Sequence, residues 1–253
     1  MGDPRHPRRG AAGAPLAVIL YGRNPVREAL RGRRQVRRIW AAGAAAEEPW
    51  LSGQAVAEVR PAELEELSGS REHQGVCAEA SPYPYADADG LMTGDDALVV
   101  CLDEVQDPHN LGAVCRVAEG AGAAGVVIPE RRSAEVTPAV CKASAGAVEH
   151  LPVARVRNLA DWLTAAKDGD AWVYGAAAGS SSVPYDHPDY SGRVVIVLGS
   201  EGRGMRPRVA EACDQLIAVP QRGRLDSLNV STAAAVVVYG ILHLRGKGLD
   251  KAT

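Results

Sequence analysis

From residue 97 onward, short apolar runs alternate with segments whose composition suits helices. The first run, residues 97–102, is apolar throughout, which is typical of a strand buried on both faces of a parallel sheet. The strands predicted in this region cover residues 97–102, 125–128, 152–156, 171–174, 194–198 and 216–219. The predicted helices cover residues 108–119, 138–148, 158–167, 207–213 and 229–244. This alternation predicts an α/β fold with a parallel sheet that carries helices on both faces.

A smaller α/β unit is predicted upstream of this region. Its expected strands cover residues 18–20, 36–41, 55–59 and 75–80, and one helix covers residues 61–67. Asn24 and Pro25 predict the start of another helix, because asparagine suits the cap position and proline the first turn.

Changes in composition along the chain predict its domain organisation. The segment that follows the small unit is rich in proline, aspartate and glycine, as a linker would be. The predicted segments are a disordered basic arm (1–16), a small α/β domain (17–81), a linker (82–95), a larger α/β domain (96–247) and a tail (248–253).

Charge is unevenly distributed along the chain. The formal net charge is −3, yet residues 1–40 hold ten arginines against two acidic residues. Such asymmetry favours a basic end that faces nucleic acid on an otherwise acidic body. Arg31 and Arg34 lie in sequence that looks folded, so both are candidate RNA contacts. The alternative is a solvated arm followed by a solvated helix.

Cysteine usage excludes two kinds of site. The five cysteines are odd in number and widely spaced, and no Cys-x-x-Cys occurs. Neither a disulfide framework nor a metal site is predicted, and a reducing cytoplasm is the expected compartment. No apolar run reaches the roughly 18 residues that a membrane span needs.

The first candidate motif follows the strand at residues 97–102. Asp107 and Pro108 are typical of a helix start, but helix initiation does not explain Asn110 or Arg116. Helical side chains lean toward the N-terminus, and Arg116 would pass over two small residues to reach Asn110. An arginine at the carboxyl edge of a parallel sheet, where α/β ligands bind, is a strong phosphate-binding candidate.

The second candidate motif covers residues 196–205, where an apolar strand ends in a glycine-rich turn with one acid, Glu201. Glycines at such a place let the backbone approach a ligand closely. The alternative is a plain strand-to-helix turn. The chain's Gly-x-Gly-x-x-Gly, residues 120–125, follows a predicted helix instead of a strand, which argues against a dinucleotide site.

The third candidate motif covers residues 219–231, just before the last predicted helix. Ser227, Asn229 and Ser231 place three short polar side chains at alternate positions. Because a helix start needs one capping oxygen, two of these side chains are available for another role.

Together and in this order, the three motifs resemble those of the SpoU (TrmH-type) family of RNA ribose 2′-O-methyltransferases. The resemblance implies S-adenosylmethionine as cofactor and a homodimer formed through the catalytic domain. It also implies a SPOUT-type parallel sheet whose C-terminal segment threads into a trefoil knot, an exception to the usual topology rules.

The N-terminal unit, with Tyr-Gly-Arg-Asn-Pro at residues 21–25 and His-Gln-Gly-Val at residues 73–76, resembles a known substrate-binding domain. That domain is the ribosomal-protein-L30e-like domain of a bacterial branch of the family. The branch methylates the 2′-hydroxyl of a guanosine in large-subunit (23S) rRNA, and this is the expected activity.

The resemblance and the charge pattern together imply three sets of site residues and no metal. The polar active-site set is Asn110, Arg116, Glu201, Ser227, Asn229 and Ser231. The cofactor-binding set is Leu198, Gly199, Gly202, Val219, Gly223 and Leu228. The RNA-binding set is Arg23, Asn24, Arg31, Arg34 and His73.

Arg116 is expected to act as a charge and not as a base, because arginine stays protonated up to a pKa of about 12 or more. It would clamp a phosphate and stabilise the developing alkoxide, with Asn110 and Glu201 orienting it. The alternatives are a resistance rRNA or tRNA methyltransferase of the same family, and a non-catalytic RNA-binding or ribosome-assembly factor on the same fold.

Overall fold

The N-terminal unit contains one four-stranded sheet. A computed structural model describes residues 17–179, 181–224 and 227–246, so the predicted arm and tail lie outside the described residues. The elements of the unit are β1 (Val18–Tyr21), α1 (Arg23–Arg31), β2 (Val36–Ala41), β3 (Val56–Glu58), α2 (Pro61–Ser68) and β4 (Val76–Ala80). The strand order is β1-β4-β2-β3, with β4 antiparallel to both of its neighbours and β3 parallel to β2.

The second domain is built on a seven-stranded sheet. Its strands are β5 (Leu98–Asp103), β6 (Gly125–Pro129), β7 (Val153–Val156), β8 (Ala171–Ala176), β9 (Val183–Pro184), β10 (Arg193–Gly199) and β11 (Gln215–Ala218). Its α-helices are α3 (Pro108–Gly120), α4 (Pro138–Ala143), α5 (Leu159–Asp168), α6 (Pro207–Ala212) and α7 (Val230–Gly246). The order is β7-β6-β5-β10-β8-β11-β9, and every pair is parallel. The predicted parallel α/β fold is confirmed.

Short 3-10 helices complete the described structure. They cover Gly43–Glu47, Pro49–Leu51, Arg71–His73, Asp89–Met92 and Ala147–Glu149. Tight one-turn helices of this kind commonly connect longer elements.

The central strand β5 explains why its sequence is apolar throughout. Leu98, Val100 and Leu102 pack on one face with residues of α3 and α7. Val99 and Cys101 point to the other face and pack with residues of α5 and α6. Since successive strand residues face opposite sides, a sheet covered on both faces needs an apolar residue at every position.

One predicted helix is shorter than expected. The sequence predicted a helix over residues 138–148, but α4 ends at Ala143 and a separate 3-10 turn follows at Ala147–Glu149. Ala145 and Gly146 have φ values of 53° and 88°, in the left-handed region. A right-handed helix cannot continue through these angles, so the helix breaks there.

The predicted cap of α1 is also wrong. The helix begins at Arg23, and its N-cap is Gly22 with a φ of 95°. Glycine reaches this angle without steric cost, and a side chain at Gly22 would meet Lys142 Nζ at 2.7 Å. Asn24 therefore lies inside the first turn. The two-residue strand β9 was not predicted, and the trefoil knot stays a prediction.

A buried ion pair joins the two domains. The side chains of Arg34 and Glu149 are 1% and 0% exposed. Arg34 Nε donates to Glu149 Oε2 at 3.0 Å, and Arg34 Nη2 donates to Cys141 Sγ at 2.9 Å. Glu149 Oε1 lies 2.8 Å from Arg34 Nη2 but accepts no hydrogen bond within the described chain. Burial raises the pKa of Glu149, and Arg34 offsets part of that shift. The prediction that Arg34 contacts RNA is contradicted, because its guanidinium is enclosed by protein.

The segment predicted as a linker packs between the domains. The hydroxyl of Tyr83 lies 3.0 Å from the carbonyl oxygen of Leu151 and accepts the backbone N–H of Val153 at 3.2 Å. The ring of Tyr83 lies 5.1 Å from the guanidinium carbon of Arg34. Ala86 forms an isolated parallel bridge with Ala154, at the edge of the second sheet. This segment therefore adds contacts across the domain junction.

All five cysteines are free thiols. Burial raises the pKa of Cys77 to about 11 and the pKa values of Cys141 and Cys213 to about 12. These thiols stay protonated at neutral pH, and a protonated thiol is a poor nucleophile. Within the described residues, no helix has the length and apolar character that crossing a bilayer requires.

We expect Glu149→Ala to lower the free energy of unfolding by about 3–5 kcal/mol, because it leaves the Arg34 guanidinium buried without its carboxylate. The double variant Arg34→Met, Glu149→Leu should recover most of that loss, since it removes both buried charges. Urea unfolding followed by circular dichroism measures both effects.

Glu63→Ala serves as the matched control. Its carboxylate pairs with Arg60 at 2.7 Å on the surface, with side chains 40% and 82% exposed. A loss below about 1 kcal/mol is expected there. If Glu149→Ala costs no more than Glu63→Ala, the domain junction does not depend on the buried pair.

Candidate active site

Three loops meet at the carboxyl edge of the large sheet. The loop after β5 leads into α3, the loop after β10 covers residues 200–206, and the segment after β11 leads into α7. β5 and β10 are paired in the sheet, with Asp103 opposite Gly199, so their loops leave the sheet side by side. A cavity of about 300 Å³ lies between them, and we call it the target cavity. It is lined by Glu104, Val105, Gln106, Asp107, Asn110, Ser200, Glu201, Arg203 and Val230.

One residue from each of the three motifs meets in a hydrogen-bonded cluster, the Asn110–Glu201–Asn229 cluster. Asn110 Nδ2 donates to Glu201 Oε1 at 2.9 Å, and Asn229 Nδ2 donates to Asn110 Oδ1 at 3.0 Å. Asn229 Nδ2 also donates to Glu201 Oε1. The carboxylate is thus held by two amides from distant parts of the chain, at a place open to solvent.

Asn229 also caps the last helix. Its Oδ1 accepts the backbone N–H of Ser231 at 2.9 Å and that of Thr232 at 3.3 Å. The hydroxyl of Ser231 donates to the same oxygen at 2.6 Å. One amide side chain therefore has two roles: its oxygen caps the N-terminus of α7, and its nitrogen donates to the other two residues of the cluster. Ser227 lies exposed just upstream.

Two backbone hydrogen bonds between Ser200 and Gly204 close the loop that carries Glu201. Ser200 N–H donates to Gly204 O at 3.1 Å, and Gly204 N–H donates to Ser200 O at 2.9 Å. A Cβ at Gly199 would lie 2.1 Å from the carbonyl carbon of Gly204, so only glycine fits at the end of β10. The glycine-rich sequence makes this tight turn possible, and the turn presents Glu201 to the cluster.

A buried carboxylate that the sequence analysis missed anchors the same loop. Asp103, at the end of β5, is 0% exposed. Its Oδ1 accepts from Arg206 Nε at 2.8 Å and lies 2.6 Å from Arg206 Nη2. Its Oδ2 accepts the backbone N–H of Arg206 at 2.8 Å. This ion pair raises the pKa of the Arg206 guanidinium, and with the backbone hydrogen bond it ties the loop to the strand that leads to Asn110.

Arg116 does not join the Asn110–Glu201–Asn229 cluster. Its side chain is exposed on α3, and no hydrogen bond or ion pair links it to another described residue. In the structure Asn110 and Glu201 hold each other and Asn229, so the prediction that they orient Arg116 does not match this arrangement.

The residues expected to bind cofactor lie at or after the ends of two strands that both border β8. Leu198 and Gly199 end β10, and Gly202 lies in its loop. The remaining three, Val219, Gly223 and Leu228, follow β11. Because β10 and β11 lie on either side of β8, both segments leave the sheet next to the end of β8.

The expected RNA contacts, apart from Arg34, lie on the surface of the first domain. Arg23 and Asn24 are exposed at the start of α1, and Arg23 Nε donates to the carbonyl of Gln74 at 3.3 Å. His73 precedes Gln74, so Arg23, Asn24 and His73 lie on the same surface. Arg31, at the far end of α1, has a side chain 60% exposed and 3.7 Å from Glu28.

The site offers carboxylates, amides and backbone groups. Within the residues that the structure describes, no group of three or more histidine, cysteine, aspartate or glutamate side chains could hold a metal ion. The arrangement can accept and donate hydrogen bonds to a polar ligand and can place negative charge beside it.

Comparison with known proteins gives two family matches. The SpoU rRNA Methylase family model matches residues 97–239, and the model for RNA 2′-O ribose methyltransferase substrate binding matches residues 19–86. An uncharacterized tRNA/rRNA methyltransferase of Synechocystis sp. is 37% identical over 249 residues, which is 93% of this chain and 64% of that protein. An uncharacterized tRNA/rRNA methyltransferase of Mycobacterium sp. is 38% identical over 252 residues, which is 94% of this chain and 80% of that protein.

A solved structure also matches over most of the chain. The AdoMet-bound rRNA methyltransferase from Sinorhizobium meliloti superposes with a TM-score of 0.77 at 25% identity. The match covers 90% of this chain and 87% of that one.

We expect Asp103→Asn to loosen the loop at residues 200–206, because it removes the charge that holds both the guanidinium and the backbone N–H of Arg206. Backbone amides of the loop should exchange with deuterium roughly tenfold faster, while amides of β5 and α5 keep their protection. Hydrogen–deuterium exchange with mass spectrometry measures this.

Glu104→Gln is the matched control, because Glu104 is the neighbouring carboxylate and lies 3.8 Å from Arg206 Nε. It should leave exchange of the loop unchanged. Equal protection of the loop in Asp103→Asn and the wild type would show that the ion pair does not anchor it.

Proposed function

This chain belongs to the SpoU rRNA Methylase family, and we propose that it transfers a methyl group from S-adenosylmethionine to a ribose 2′-hydroxyl of RNA. The proposed substrate is a guanosine of large-subunit (23S) rRNA. The observation that carries the proposal is the Asn110–Glu201–Asn229 cluster, because it unites all three family motifs at one cavity.

The residues next to β8 fit S-adenosylmethionine. Added Cβ atoms at Gly202 and Gly223 would meet nothing within 4 Å, so neither glycine is packed against another described part of the chain and both remain accessible to a ligand. Backbone groups at Gly199 and Val219, at the ends of β10 and β11, would form hydrogen bonds with the cofactor. When bound, the cofactor supplies an activated methyl group on a positively charged sulfur.

The polar cluster would orient the ribose. Asn110 and Asn229 can donate and accept hydrogen bonds, and Glu201 fixes the orientation of both amides. Holding the 2′-hydroxyl in line with the methyl group removes much of the entropic barrier to transfer. Ser227 and Ser231, two residues on either side of Asn229, would offer further hydroxyl groups to the substrate.

Arg116 would supply positive charge. It is exposed and lies on the same helix as Asn110. Its guanidinium suits a backbone phosphate, which it can contact with two parallel hydrogen bonds. A positive charge beside the 2′-oxygen would also stabilise the alkoxide as the proton leaves. The phosphate or a water molecule would accept that proton.

We expect the wild-type protein to transfer labelled methyl from S-adenosylmethionine to unmodified large-subunit rRNA made in vitro. The product should resist alkaline cleavage at one ribose, because a methylated 2′-oxygen cannot attack the neighbouring phosphate. Arg116→Ala should lower kcat by about 10²–10³-fold and leave the Kd for S-adenosylmethionine unchanged in calorimetry.

Arg60→Ala is the control for loss of an exposed arginine, with a side chain 82% exposed on the first domain. It should keep wild-type turnover. Undiminished turnover in Arg116→Ala would overturn the role given to Arg116. Label on a tRNA transcript but not on rRNA would assign the protein to a tRNA substrate instead.

We also propose that the protein forms a homodimer through the catalytic domain. α3 packs along α7, and α7 turns Tyr239 and Leu242 outward with exposures of 47% and 42%. Large apolar side chains exposed on one face of a helix favour burial against a partner surface. A second copy of the chain satisfies this because a two-fold interface pairs identical patches.

Leu242→Glu should shift the protein from dimer to monomer, since a carboxylate would be buried at the interface without a partner. Sedimentation velocity at micromolar concentration measures the shift. Leu67→Glu, on the first domain and 37% exposed in the wild type, should leave the mass unchanged. A monomeric wild type would overturn the dimer.

A further inference from the structure

A second cavity at the carboxyl edge of the large sheet has a lining in which only Arg206 also belongs to the site described above. It has a volume of about 750 Å³ and lies between the first turns of α5 and α6. We call it the arginine cavity. It is lined by Arg157, Asn158, Ala160, Asp161, Arg206, Pro207, Arg208 and Val209.

Positive charge dominates the lining of the arginine cavity. Arg206 is held by the buried Asp103. Arg208 has a side chain 76% exposed and only a 3.5 Å contact with Asp161. Arg157 is exposed at the end of β7. Asp161 is the one acidic residue among the described residues of the lining, and it stands against three arginines.

The target cavity has the opposite character. Glu104, Asp107 and Glu201 line it against one arginine, Arg203. Carboxylates at this density repel phosphate groups and disfavour binding of the RNA backbone inside the target cavity. Arg116 would hold one phosphate beside the target nucleotide, and the neighbouring phosphates need further positive charge.

The two cavities adjoin at the contact between Arg206 and Glu104. Arg206 lines the arginine cavity, and its Nε lies 3.8 Å from Glu104 Oε1, which lines the target cavity. An RNA strand that extends from the target cavity past Arg206 would meet Arg157 and Arg208, which line the same cavity as Arg206. The expected cofactor residues follow β10 and β11, whereas Arg157 follows β7 at the far edge of the sheet.

We propose that the arginine cavity binds backbone phosphates of the substrate RNA next to the target nucleotide. The guanidinium forks of Arg157 and Arg208 suit phosphate oxygens, and sequence-independent contacts of this kind supply much of the affinity of a protein for RNA. The proposal rests on the proposed function, since it takes RNA as the substrate.

The test compares RNA binding by the wild type and the double variant Arg157→Gln, Arg208→Gln over about 50–200 mM salt. The probe is unmodified large-subunit rRNA made in vitro, without cofactor, and binding is read by filter retention. Losing two phosphate contacts should reduce the slope of log K against log salt by about 1.5. In methyl transfer, the KM for RNA should rise roughly tenfold while kcat stays within about twofold.

Two single variants serve as controls. Lys167→Gln removes one positive charge at the other end of α5, where the lysine pairs with Asp214 at 3.2 Å, and should leave the slope unchanged. Asp161→Asn frees Arg208 from its contact and should bind RNA at least as tightly as the wild type.

Binding and methyl transfer separate failure of this proposal from failure of the proposed function. An unchanged salt slope in the double variant, or the same loss in Lys167→Gln, would overturn the arginine cavity as a phosphate site. A wild type that binds rRNA with the expected arginine dependence but transfers no methyl group would retain the binding site and overturn the activity. A wild type that does not bind rRNA would overturn the binding site.

Discussion

Parallel pairing of β5 and β10 is the constraint on which the site depends. The register places Asp103 opposite Gly199, so the chain leaves both strands at the same edge and at the same height. Asn110 and Glu201, which are 91 residues apart, then reach hydrogen-bonding distance. Asn229, which lies at the start of α7, completes the cluster through its hydrogen bond to Asn110. The geometry of the site thus follows from strand register, while the local sequence supplies only the side chains.

Much of the fold could be predicted because its local signals are strong. Asp107 and Asn158 cap the helices that follow them, as their positions before apolar segments indicate. The apolar runs were sufficient to predict six of the seven parallel strands. The break at Ala145 and Gly146 was not predictable, because an alanine with positive φ reflects tertiary packing and not its own preference.

The site was predictable as a set of residues but not as a set of partners. The motifs identified Asn110, Glu201 and Asn229, yet nothing in them indicated that the two amides hold the carboxylate and not Arg116. Asp103 directly follows a predicted buried strand, which was a signal for a functional carboxylate. Its partner, Arg206, lies 103 residues away, and pairing at that separation is set by the three-dimensional fold.

Asn229 couples the stability of the fold to the geometry of the site. Its amide oxygen satisfies backbone N–H groups that would otherwise be unpaired at the start of α7, and its nitrogen binds Glu201 and Asn110. Aspartate at this position would keep the helix cap, but it would replace the donor with a second negative charge beside Glu201. Serine would also cap the helix, yet it is too short to reach the cluster. Asparagine combines an acceptor short enough to cap the helix with a separate amide donor that reaches the cluster, so the cap and the site depend on one residue.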